Sequence, residues 1–316
     1  MRVIVTGGAG FIGSHIVDAL VDSGHEVAVI DNLTTGREAN VNKKAIFHEV
    51  DLRDDNKLDR VFNHFQPDIV SHQAAQAHVP KSVEHPSDDA DVNIVGGLRL
   101  LTFCRKYNVR KLIFASTGGA IYGNPDTQLC RESEPPKPLS PYGVSKYSFE
   151  QYLAMYARSF GFTSTVLRYA NVYGPRQDGS ADEGRVVPIF IQRMLSGQYV
   201  VVDGDGTQTR DLIHVDDIVR ANLAAMTRGD GVTFNIGTGK GTSVNELFKQ
   251  LCKLIPYSLP PRFGPGRQGD VHTIVLDTTA ARVGLKWTPA IDLGAGLADT
   301  IEYFMGRLSE IGAPRP

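Results

Sequence analysis

The chain opens on a short apolar run, Arg2–Thr6, followed by helical spacing over Phe11–Ser23 and a second apolar run over Glu26–Ile30. The alternation continues. Ala45–Val50 predicts a third strand, Asp54–Phe65 a polar helix, Asp68–His72 a fourth strand and Ser87–Tyr107 a long helix. Lys111–Ser116 predicts a fifth strand, Tyr142–Phe160 a helix and Thr163–Arg168 a sixth strand. The strand runs VIVT, VAVI, LIFA and TVLR are apolar throughout, as strands buried on both faces must be. Strands and helices in turn, joined by tight connections, predict an α/β fold with a parallel sheet covered on both sides. Beyond about residue 170 the pattern loosens, with Pro175, Pro188, Gly204, Gly206, Pro256 and Pro265 punctuating short elements. Helices are predicted there over Val187–Leu195, Val215–Met226, Val244–Leu254 and Leu293–Met305. No internal repeat interrupts this order, so the division expected is residues 1–170 and a smaller α/β region over 171–316, with segments crossing between them.

Composition narrows the function. With 316 residues, 41% of them hydrophobic, the chain can bury a substantial core. Its 33 Lys and Arg against 35 Asp and Glu give a net charge of −2, which lacks the basic excess that phosphate-backbone binding requires. No nucleic-acid partner is expected. No apolar run reaches the roughly 20 residues that a helix needs to cross a bilayer, so no membrane association is expected either. The amino terminus shows no export signal. The 3 cysteines, Cys104, Cys130 and Cys252, are scattered without a CxxC. A cytoplasmic protein with reduced thiols follows as the expectation. The 9 histidines show no HxH or HExxH spacing, so no metal is expected. His72, after an apolar strand, reads as a hydrogen-bonded structural residue and Cys130 as a bystander.

The chemistry begins at Thr6-Gly7-Gly8-Ala9-Gly10-Phe11-Ile12-Gly13, between the first strand and the first helix. Gly7 allows a sharp turn, Gly10 lets a pyrophosphate approach the backbone, and Gly13 lets the helix press on the sheet. The helix start, with its free N–H groups and positive dipole end, favours phosphate. Asp31 ends the second strand. A carboxylate there accepts hydrogen bonds from a ribose 2′-hydroxyl and repels a 2′-phosphate, which favours NAD over NADP. Arg37 nearby is either a solvated loop residue or a group that softens that exclusion.

Tyr142 and Lys146 are four apart and share one face of a predicted helix. A free tyrosine titrates near ~10, too high for a base at neutral pH. An adjacent ammonium favours the phenolate, so the expectation is that Lys146 lowers Tyr142 into working range. Such a tyrosine exchanges a proton with a substrate hydroxyl while the cofactor exchanges hydride. Ser116 and Thr117 end the fifth strand, where α/β folds place ligands. Either hydroxyl can relay the proton. Glycines follow at 118 and 119, leaving no acid there for eliminating water.

These motifs, with DNL at 31–33, STGGAIYG at 116–123, SPYGVSK at 140–146, LRYANVYGPRQ at 167–177, RDLIHVDDI at 210–218, FNIGTG at 234–239 and GD at 269–270, resemble the extended short-chain dehydrogenase/reductase family. The nucleotide-sugar 4-epimerases are its most similar branch. The resemblance covers nearly the whole chain. It implies a Rossmann-type doubly wound parallel sheet with tightly held NAD and a C-terminal region that binds a UDP-sugar. It implies that Asp31, Asn32 and Gly36 lie at the adenosine ribose and Asp51 and Leu52 at the adenine. Ala74, Ala75, Asn93 and Tyr169 then lie on the pyrophosphate and nicotinamide side. For the substrate it implies Asn171 and Arg210 at the diphosphate, Val187 against uracil, and Arg267 and Asp270 closing over the phosphates and uridine ribose. A diphosphate dianion suits guanidinium forks in any case.

The activity implied is interconversion of UDP-galactose and UDP-glucose through a 4-keto sugar, by a homodimer joined through the helices near 87–107 and 142–160. Leu212 stands where many members have tyrosine. Ile274 falls where some carry a bulky aromatic. A smaller residue there leaves room for a 2-acetamido group, which makes a UDP-N-acetylglucosamine 4-epimerase the alternative. A nucleotide-sugar dehydratase and a non-catalytic NAD-binding protein are the more distant ones.

Overall fold

The structure is a computed structural model that describes residues 1–125, 129–179, 185–266 and 271–310. Its strands are β1 (Arg2–Thr6), β2 (Glu26–Asp31), β3 (Ile46–Glu49), β4 (Ile69–His72), β5 (Lys111–Thr117), β6 (Ser164–Tyr169) and β7 (Asn171–Tyr173). They continue with β8 (Val201–Asp203), β9 (Thr209–His214), β10 (Thr233–Ile236), β11 (Gly241–Ser243), β12 (Arg262–Gly264) and β13 (Thr273–Ile274). The helices are α1 (Phe11–Asp22), α2 (Asp55–Phe65), α3 (Val79–Glu84), α4 (Pro86–Ala90), α5 (Gly96–Lys106) and α6 (Gly118–Ile121). The chain then adds α7 (Pro141–Phe160), α8 (Val186–Leu195), α9 (Val215–Ala225), α10 (Val244–Leu254), α11 (Thr279–Gly284) and α12 (Leu293–Glu310).

Side-chain alternation along the strands builds the two-faced core. Val3, Val5, Val27 and Val29 point to one face of the sheet, where they pack with Ile16, Val17 and Leu20 of α1 and Ile218 of α9. Ile4, Ala28, Ile30 and Phe114 point to the other, where Leu58 and Phe62 of α2, Leu100 of α5 and Phe149 of α7 cover them. Each Val, Leu, Ile or Phe side chain so buried contributes about 1.5–3 kcal/mol. The result is a seven-stranded sheet in the order β3-β2-β1-β4-β5-β6-β10. All of its pairings are parallel. Strand order reverses between β1 and β4, and a crevice opens beyond their carboxyl ends, as in other doubly wound sheets.

The smaller lobe has its own core, in which Val187 and Ile191 of α8, Leu247 and Leu251 of α10 and Leu297 of α12 pack together. Two short sheets flank it, one around β9 with β7, β11 and β13, the other pairing β8 with β12. The chain does not divide once and for all near residue 170. Strand β10 returns to the large sheet and pairs with β6.

The long helix expected over 87–107 is interrupted. Asp91–Val95 forms a π turn between α4 and α5, a local widening common at functional sites. Helix α7 begins where Ser140 caps it, its hydroxyl accepting from the Gly143 N–H at 3.3 Å with Pro141 in the first turn. That fixed start sets Tyr142 and Lys146 at the crevice.

Candidate active site

A cavity of about 990 Å³ fills the crevice. Gly7, Gly10, Phe11, Ile12 and Gly13 form its floor, and no side chain caps the start of α1 at Gly10. Gly7 has φ +69°, and a Cβ there would lie 2.6 Å from the Ala74 nitrogen. A Cβ on Gly13 would strike the Gly7 carbonyl. At Gly10 the nearest obstacle is that same carbonyl at 3.2 Å. The space above Gly10 is therefore open to a pyrophosphate. The Asp31 carboxylate accepts from the Ala9 N–H at 3.0 Å and the Leu33 N–H at 2.9 Å, which fixes it at the rim of the cavity. Gly36 leaves room for it, since a Cβ would meet its oxygen at 2.8 Å.

Asn32, Asp51 and Leu52 line the next stretch of wall. Asn32 donates to Asp51 at 2.8 Å. The guanidinium of Arg53 grips Asp51 at 2.9 and 2.8 Å and holds its carboxyl well below the usual range. Ala74, Ala75 and Tyr169 line the opposite wall. Asn93 lies behind, exchanging hydrogen bonds of 3.0 and 2.9 Å with the Gln76 backbone. The residues present fit an NAD: open backbone at a helix start for the pyrophosphate, and a fixed carboxylate for a ribose without a 2′-phosphate.

Tyr142, Lys146 and Thr117 meet in the same cavity. Burial pushes the Tyr142 phenol up, Arg185 works against that, the Asp89 charge adds to it, and the Thr117 hydroxyl favours the phenolate. Lys146 is pushed down to about 8 by burial. Its Nζ donates to the Ala115 carbonyl at 2.9 Å and lies 6.0 Å from the centre of the Tyr142 ring. The expectation that Lys146 lowers Tyr142 is thus corrected. In this arrangement the ammonium is turned to a carbonyl, and burial dominates both groups.

Adjacent hydroxyls take separate directions. Thr117 faces Tyr142, whereas Ser116 donates to Glu150 at 2.5 Å inside the core. Ser116 is 3% exposed and, although it borders the cavity, its hydroxyl is engaged by Glu150. Period-two geometry sends neighbours on a strand to opposite sides. Of the glycines that follow, 118 is a packing position, where a Cβ would meet Leu276 at 2.5 Å. Gly119 faces the site, its missing Cβ 3.3 Å from Asn171 Oδ1 and 3.8 Å from Thr117 Oγ1.

On the substrate side, Asn171 begins β7, which pairs with β9 so that it lies opposite Leu212, two residues from Arg210. Arg210 Nη1 donates to the Thr209 and His272 carbonyls at 3.1 and 3.2 Å. Asp211 beside it accepts from Thr238, Gly239 and Leu276 and fixes the local backbone. Val187, expected beside a uracil, is 2% exposed and packed in the small-lobe core. Ile274 is also 2% exposed and packed in the core. Arg267 and Asp270 lie outside the described residues. Cys130 is buried, and burial pushes its thiol up to about 12. His72 hydrogen-bonds Thr6 at 2.8 Å and is pushed down to about 3 by burial.

Gln76, Arg185 and Tyr303, which carry no motif signal, reach the cavity from loops and from α12, and Arg176 and Gln177 at the end of the 167–177 motif line it as well. Arg176 pairs with Asp18 of α1 at 2.7 Å, which ties the segment after β7 to the cofactor side.

The sequence pattern of the NAD dependent epimerase/dehydratase family matches residues 3–237. The chain belongs to this family. It is 40% identical over 313 residues to the UDP-glucose 4-epimerase of Mycolicibacterium smegmatis, covering 97% of this chain and 99% of that one. The crystal structure of the Thermotoga maritima UDP-glucose 4-epimerase with UDP-glucose is similar at 51% identity and a TM-score of 0.96, over 98% of this chain and 100% of that one. The Thermus thermophilus UDP-glucose 4-epimerase in complex with NAD is similar at 45% identity and a TM-score of 0.91, over 97% and 99%. The chain is thus an extended short-chain dehydrogenase/reductase with a Rossmann-type fold. No described helix is long and apolar enough to cross a membrane.

Proposed function

We propose that this chain is an NAD-dependent 4-epimerase that interconverts UDP-galactose and UDP-glucose through a 4-keto sugar. The observation that carries this reading is the meeting of Thr117 and Tyr142 at the dinucleotide crevice, with a glycine at the site-facing position that follows. Without an acid at 119, elimination of water has no proton donor there, and proton exchange at a hydroxyl is the chemistry left. Tyr142 takes the proton of the sugar 4-hydroxyl and returns it, with Thr117 as relay. Lys146 places a positive charge beside the ring and faces the cofactor ribose. Bound NAD supplies the two-electron exchange at C4, and its positive ring offsets the burial that holds Tyr142 high.

Asn171 and Arg210, and with them Arg267 and Asp270, hold the sugar diphosphate and uridine. The large lobe to about residue 170 serves the cofactor and the smaller one the sugar nucleotide. Exposed Val144, Tyr152 and Phe160 along α7 support a homodimer, and the setting is cytoplasmic. The acetamido-sugar alternative draws on Ile274, whose side chain is committed to the core.

Purified protein with UDP-galactose, followed by NMR of the anomeric and H4 signals, is expected to form UDP-glucose. Tyr142→Phe is expected to lose roughly 10³-fold in kcat while retaining NAD. Near-full turnover in that variant would remove the reading.

A further inference from the structure

Asp89 is a fully buried carboxylate, 0% exposed, at the end of α4. One oxygen accepts from Gln76 Nε2 at 2.9 Å and Asn93 Nδ2 at 3.0 Å, the other from Ser145 Oγ at 2.6 Å. Every partner is neutral. Among the described residues no cation touches it. A buried carboxylate without a cation is costly, and it stands here between two parts of the active site. Asn93 and Gln76 hold the cavity wall around residues 73–78, and Ser145 lies between Tyr142 and Lys146 on α7.

Two carboxylates act on Lys146, Asp89 and Glu150. They differ in how far their charge is spent. Glu150 is clamped by Arg168 at 3.0 and 2.6 Å and accepts from Ser116. Asp89 has only neutral donors, so its field reaches Lys146 uncancelled.

We infer that Asp89 is a positioning residue, whose buried carboxylate ties the catalytic helix through Ser145 to the cavity wall at Gln76 and Asn93 and stands beside the residue next to Lys146. The groups that face Lys146 are Asp89 from α4, Tyr142 and Glu150 from its own helix, and neutral His72 from β4. Arg168 of β6 is spent on Glu150, and Arg185 acts on Tyr142. Asp89 also opposes ionisation of Tyr142. Removing its charge therefore lets both Lys146 and Tyr142 lose their protons at lower pH. The inference deepens the 4-epimerase reading and rests on it for the activity readout alone.

The test is Asp89→Asn, which keeps the size and can keep the bonds to Gln76 and Asn93. In the wild type the high-pH limb of kcat is expected near 8, set by Lys146. In the variant that limb is expected about one pH unit lower, with kcat about tenfold lower above pH 8. Ser145→Ala removes the anchor and keeps the charge, so its limb stays. Trace acetylation of Lys146 by acetic anhydride, read by peptide mass spectrometry across pH, should show the same displacement without any turnover. It separates failure of this inference from failure of the epimerase reading. If Asp89→Asn does not fold, Asp89→Ser removes the same charge and is read the same way. A folded neutral variant with an unmoved limb and unmoved acetylation would reduce Asp89 to a structural residue.

Discussion

The two walls of the crevice are held in different ways. The dinucleotide wall is set by backbone: strand ends in parallel register, a glycine turn at φ +69° and an uncapped helix start. The catalytic and sugar-facing wall is set by buried side chains. Ser116, Glu150, Arg168, Tyr122 and Asn235 form one continuous chain of hydrogen bonds from β5 through α7 and β6 to β10. Asn235 carries it on to the Cys130 and Asp277 carbonyls. Leu276, beside Asp277, packs on Gly118 next to Thr117. A backbone-built wall tolerates side-chain change. A wall built from a buried ionic network does not, because removing one partner strands the other in a medium that solvates charge poorly.

The largest expected break in this comparison is Glu150→Gln. It leaves the Arg168 guanidinium buried without its carboxylate and is expected to cost about 3–5 kcal/mol, measured by urea unfolding. NAD content of the folded fraction should stay unchanged if the two walls are independent. A smaller and more local contrast separates the adjacent hydroxyls. Thr117→Val should lower kcat by about 10²-fold with little change in stability. Ser116→Ala should leave kcat nearly unchanged and lower stability by about 1 kcal/mol. Exchange of these two outcomes would mean that the hydroxyl assignment is reversed. The mildest test addresses the sugar side alone. Arg210→Ala should raise KM for UDP-galactose about tenfold with NAD retention unmoved, the loss expected for one guanidinium contact to a phosphate.

Much of the dinucleotide wall was legible in the chain, because its geometry is encoded by consecutive residues. Gly7 to Gly13 lie within one turn and one helix start, and Asp31 ends a strand that its own apolar run announces. The sugar wall was legible only as scattered single residues. Asn171 and Arg210 come close because β7 pairs with β9, a pairing that three-residue strands do not signal. Val187, which the resemblance puts against uracil, packs in the core that α8 forms with α10 and α12, a placement no local pattern announces. Asp89 gave no signal at all. A π turn and the docking of α4 on α7 bring it under Ser145, and no local pattern encodes such a docking.

The sequence by itself determined the strand–helix order, the phosphate turn, the preference for a cofactor without a 2′-phosphate, and the shared helical face of Tyr142 and Lys146. Each of these depends on residues near one another in the chain and on fixed backbone periods. Only the tertiary structure decided which hydroxyl meets Tyr142, that Lys146 turns to the Ala115 carbonyl, and that both groups titrate under burial rather than under each other's charge. Protonation depends on how completely a group is desolvated and on which buried charges surround it. Those charges come from helices far apart in the sequence, and only packing brings them together.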